Sequence, residues 1–83
     1  MRVYRIDREE EAIAEVQRYL RALSYRHESI PHVGVDGIYN AETREAVRAF
    51  QALFALLETG IADRETFERL YHESLTVPRR GER

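Results

Sequence analysis

The sequence predicts an all-α domain: a three-helix orthogonal bundle with an internal pseudo-twofold repeat and one long irregular connection. Three observations carry this. Apolar residues recur at steps of three and four in three separate stretches. Gly37-Ile38-Tyr39-Asn40-Ala41-Glu42-Thr43 returns later as Gly60-Ile61-Ala62-Asp63-Arg64-Glu65-Thr66. An apolar-Gln stripe, Val16-Gln17 with Leu20 and Leu23, is matched in spacing by Phe50-Gln51 with Phe54 and Leu57.

The first helix begins at a capping-box-like Asp7 and Glu10, with Glu9, Glu10 and Glu11 suiting the positive helix end. Ile13, Val16, Leu20 and Leu23 then form one apolar stripe. Pro31 and Gly34 break the helical pattern, and Ile30, Val33 and Val35 alternate as a brief extended piece would. Asp36-Gly37 is a turn dipeptide, and Asn40 is a good N-cap for the second helix. Ala46, Val47, Phe50, Leu53, Phe54 and Leu57 give that helix a broad apolar face, as expected of a central element. Thr59-Gly60 and Asp63 repeat turn and cap, and Phe67, Leu70 and Tyr71 make a short third stripe. Residues 1–7 read as an N-terminal extension, 8–75 as the domain and 76–83 as a disordered tail.

Gln17 precedes Gly37 by 20 residues and Gln51 precedes Gly60 by 9, so one connection is 11 residues longer. The second helix belongs to both units. A repeated corner of this kind is first a folding device, and the glutamines are expected to hold neighbouring loop backbone.

Composition narrows the function. With 83 residues the chain builds one modest core, and with no cysteine it has neither disulfide nor thiolate chemistry. A net charge of −2 argues against nucleic acid. All thirteen basic residues are Arg, whose planar forks suit carboxylates. No apolar run is long enough to cross a membrane, and the opening "MRVYRIDREEEAI" shows no signal peptide. His27, His32 and His72 have no ordinary zinc spacing, so no metal and no cofactor is expected. No Ser-His-Asp or Cys-His arrangement is recognisable, and so small a chain has little mass to wall a two-carboxylate cleft. No catalytic residue is assigned.

Val16-Gln17-x-x-Leu20, Asp36-Gly37-Ile38-Tyr39, Thr43-x-x-Ala46-Val47-x-x-Phe50-Gln51 and Thr59-Gly60-x-x-Asp63-x-x-Thr66-Phe67-x-x-Leu70 stand in order. That pattern resembles the peptidoglycan-binding domain, a small three-helix module attached to many cell-wall hydrolases. The chain departs from it at Asn40 and Asp63, where a second Gly is usual, and at Phe67, where Trp is common. The resemblance implies non-catalytic binding of peptidoglycan, through glycan or stem peptide, by a monomer that is extracellular or wall-associated and fused to or associated with a wall hydrolase. A protein–protein adaptor that kept the fold without wall affinity is the alternative.

The expected ligand-binding residues are Asp36, Gly37, Tyr39, Asn40, Thr43 and His32. Ile38 is expected to turn inward and Tyr39 outward, offering a flat apolar face and a hydroxyl. The amides of Asn40, Ala41 and Glu42 would receive a carboxylate at the helix start. Thr43 and Thr66 are expected to back-bond to their turns. The second corner, with Ala62 where the first has Tyr39, is expected to be structural only.

Overall fold

The structure is a computed structural model that describes residues 9–76. It contains α1 (Glu9–Ser24), α2 (Ala41–Leu53) and α3 (Arg64–Ser74), with no strand among the described residues. The extension 1–7, the expected cap Asp7 and all of the tail beyond Thr76 lie outside the described residues.

The predicted stripes meet at one core. Val16, Leu20 and Leu23 of α1 pack with Ala46, Val47 and Phe50 of α2 and Phe67 and Leu70 of α3. Tyr19 of α1 sets its ring edge-on to Phe67 at 5.8 Å and tilted to Tyr71 at 6.0 Å, sealing α1 against α3. The long connection is irregular but not idle: Ile30 and Val33 are buried, adding two aliphatic side chains to a core that three short helices would leave thin. Val35 is exposed, so the alternation seen in sequence holds for two residues of three.

Both N-caps form as expected. Asn40 Oδ1 accepts from the Thr43 amide at 2.9 Å, and Asp63 Oδ1 accepts from the Thr66 amide at 3.0 Å. The end of α2 differs from expectation. The helix stops at Leu53, with Ala55 left-handed at φ 62°. The Leu56 amide then donates to the Gln51 carbonyl at 2.8 Å and the Ala55 amide to the Ala52 carbonyl at 3.4 Å. This is a Schellman closure built on alanine instead of glycine. It swings Leu56 onto the core and leaves Leu53 and Leu57 exposed, Leu57 at 84%, so neither belongs to the core row expected of them. Phe54 stays half-buried, 4.8 Å from the Phe50 ring, with the Arg69 guanidinium 5.0 Å above its own.

Candidate binding corner

The corner that joins the long connection to α2 is held from below by one buried side chain. Gln17 Oε1 accepts from the amides of Asp36 and Gly37, each at 2.9 Å. Its Nε2 donates toward Asp36 Oδ1, the Ile38 carbonyl and Thr43 Oγ1, each at 3.0 Å. Gln is suited to this because its amide is both donor and acceptor at a single planar tip. The expectation that the glutamines hold loop backbone is met. The threonine hydroxyls differ from expectation: they face the glutamines and accept from Nε2, where back-bonding to the turn was expected.

Gly37 has φ 76°, a conformation glycine adopts at no steric cost, and a Cβ there would lie 3.2 Å from the Glu10 carbonyl oxygen. Close approach to the α1 backbone and a left-handed turn thus coincide at this residue. Asp36 closes an Asx turn, its Oδ1 accepting from the Ile38 amide at 3.0 Å. The Ile38 amide, and after it the Gln17 side chain, hold the Asp36 carboxyl below its ordinary range, since both bonds favour the ionised form.

Ile38 and Tyr39 are reversed from expectation. Ile38 is 60% exposed, while Tyr39 is half-buried and packed against the core. The cause lies in the backbone. The Ile38 amide is pinned to Asp36 and its carbonyl to Gln17, so both polar groups point into the corner and the side chain points out. Tyr39 instead runs across to the second corner, where its hydroxyl donates to the Gly60 carbonyl at 2.5 Å. The outward aromatic face expected of Tyr39 is therefore not formed.

The remaining expected site residues divide. Asp36, Asn40 and His32 are exposed. Thr43 is buried, its amide engaged by Asn40 and its hydroxyl by Gln17, so it faces the interior. Gly37 gives its amide to Gln17, and the Asn40 amide donates to the Ile38 carbonyl at 3.0 Å, which removes one of three helix-start donors proposed for a carboxylate. His32 stands on the long connection, Nδ1 2.9 Å from Ser24 Oγ and its ring 4.9 Å from that of Tyr25. Arg21 steadies the same stretch by donating to the Val33 carbonyl at 3.1 Å. What sequence reasoning missed is the outward Ile38 with its exposed neighbour Val35. The matching Ile61 of the second corner is exposed as well, so the repeated turn presents this residue the same way twice.

Among the described residues, no group of three or more His, Cys, Asp or Glu side chains could hold a metal ion, and no helix is long and apolar enough to cross a membrane. No curated protein and no solved structure matches the chain. A family match does exist: residues 9–70 match the family described as "Putative peptidoglycan binding domain". The matched span runs from the first residue of α1 to Leu70 of α3, and so takes in both glutamines, both turns and both capped helix starts. The chain belongs to this peptidoglycan-binding domain family.

Proposed function

We propose that this module binds bacterial cell-wall peptidoglycan without catalysis and targets or anchors an associated protein to the wall. The family match over 9–70 carries the reading. The docking surface we assign to it is the outer side of the first corner and the connection leading into it, where the apolar Val35 and Ile38 and the polar His32, Asp36 and Asn40 are all exposed. This replaces the Tyr39 ring by the Ile38 side chain as the apolar element, because Tyr39 is committed to Gly60. A shallow outer surface buries little area, so a single module binds weakly, and tethering to a hydrolase or a second module raises retention through effective concentration.

Sedimentation with purified insoluble peptidoglycan tests this. Wild-type protein at micromolar concentration is expected in the pellet, Ile38→Ser and Val35→Ser in the supernatant, and Ile61→Ser in the pellet. Loss of retention in Ile61→Ser alone would move the site to the second corner. No pelleting of the wild type would favour the adaptor reading, in which the Asn40 and Asp63 departures mark lost wall affinity.

A further inference from the structure

Ser24 is buried at the end of α1, and its hydroxyl has two neighbours within hydrogen-bond distance: the Arg21 carbonyl oxygen at 2.6 Å and His32 Nδ1 at 2.9 Å. A serine hydroxyl has one hydrogen to give. A carbonyl oxygen cannot donate, so an approach of 2.6 Å requires that hydrogen to lie between Ser24 Oγ and Arg21 O. Ser24 then has only lone pairs to offer His32, and the Nδ1 atom must carry the proton. In the neutral ring this leaves Nε2 without hydrogen. His32 is exposed, and Nε2 has no hydrogen bond within the described residues. The Tyr25 ring stands edge-on to the imidazole at 4.9 Å.

We infer that the Ser24 relay locks His32 in the Nδ1–H tautomer, so that Nε2 is a fixed outward acceptor for an N–H or O–H donor of the wall polymer. The inference rests on the wall-binding reading for its ligand, but not for its tautomer. It assigns His32 a specific chemical role: it selects ligands with a donor at that point and rejects those presenting only carbonyl or carboxylate oxygen. Both halves of peptidoglycan carry such donors, as acetamido N–H and hydroxyl groups on the glycan and as amide N–H groups on the stem peptide.

Two measurements on the full chain test it separately. Nitrogen-15 NMR of the His32 ring, at a pH where it is neutral, should place Nδ1 in the pyrrole-type range and Nε2 in the pyridine-type range. Ser24→Ala should shift the ring toward the opposite tautomer. A wild-type ring with its proton on Nε2 overturns the inference whatever binds. Titration with an N-acetylglucosamine tetramer and with a stem tetrapeptide then finds the donor source. His32→Asn keeps an N–H donor at the Nδ1 place and removes Nε2. It should weaken the responding probe about tenfold, the effect of one uncharged hydrogen bond, with an unchanged thermal midpoint. Unchanged affinity in His32→Asn removes the ligand role. Failure of the wild type to bind wall or either probe removes the wall-binding reading and the ligand role together, while the ring spectrum still reports the tautomer.

Discussion

The two corners of this domain use one hydrogen-bond plan with different residues. In the first, Gln17 reaches the Gly37 amide, the Ile38 carbonyl and Thr43 Oγ1. In the second, Gln51 reaches the Gly60 amide at 2.9 Å, the Ile61 carbonyl at 3.2 Å and Thr66 Oγ1 at 3.0 Å. Asp36 Oδ1 and Thr59 Oγ1 play the same part, each accepting from the amide two residues on and from the glutamine Nε2. The plan is thus kept in donors and acceptors where identity is lost. Two differences remain. Only the first corner carries a tyrosine, and it serves the second by bonding to Gly60. The ionisable group also changes place: it is Asp36 at the turn of the first corner and Asp63 at the helix cap of the second.

Replacing a glutamine should have the largest effect. Gln51→Leu strands the Gly60 amide and the Thr66 hydroxyl, while the Ile61 carbonyl keeps the Asp63 amide, and should cost about 3 kcal/mol, since each buried orphan costs about 1–3 kcal/mol. Gln17→Leu should be of similar size, and urea unfolding of the two variants compares the corners directly. A cost below about 1 kcal/mol in either would break the equivalence.

Next come the glycines. Gly37→Ala and Gly60→Ala, at φ 76° and 74°, should each lose about 1–2 kcal/mol from the left-handed backbone alone. Gly37→Ala meets the Glu10 carbonyl at 3.2 Å, and Gly60→Ala meets Arg44 Cγ at 2.8 Å. The arginine side chain can turn aside and backbone cannot, so relief by Arg44→Ala is expected only for the second corner.

Tyr39→Phe should cost about 1 kcal/mol, the hydroxyl bond alone, with wall retention unchanged. A loss of retention without a loss of stability would return the aromatic ring to the ligand surface.

The smallest effect is a pH dependence. Because the folded-state Asp36 carboxyl is held below its ordinary value, its contribution is fully present above the unfolded carboxylate pKa. It fades as pH falls through the depressed folded value. Asp36→Thr, which copies Thr59, should flatten the acid limb of the urea midpoint without altering its neutral plateau. A limb of unchanged slope would show that other carboxylates govern it.

Much of this arrangement was legible in the residues. The turn, the cap and the Gln-to-Gly correspondence are written twice, and each has a local physical cause that a short stretch reveals. The direction of Ile38 was not, because alternation describes extended chain and a left-handed glycine interrupts it. Ala62 in the place of Tyr39 held a hint, since both pack on the core, though only Tyr39 is long enough to reach the other corner. The exposure of Leu57 was illegible for a different reason. Nothing in "ALFALLETG" marks a helix end, because the closing left-handed residue is Ala55 and not the customary glycine.

That alanine also sets which loops can change length. A helix continued to Leu57 would carry the chain away from Gln51 at about 1.5 Å per residue, leaving Gly60 unable to fold back on it. Reversal at Ala55 lets eight residues suffice between Gln51 and Gly60. The path from Gln17 to Gly37 has surplus chain, with Arg26, Glu28 and Ser29 exposed along it. Grafted peptides and fusion partners therefore belong between Arg26 and Ser29, and residues 54–59 should be left at their present count.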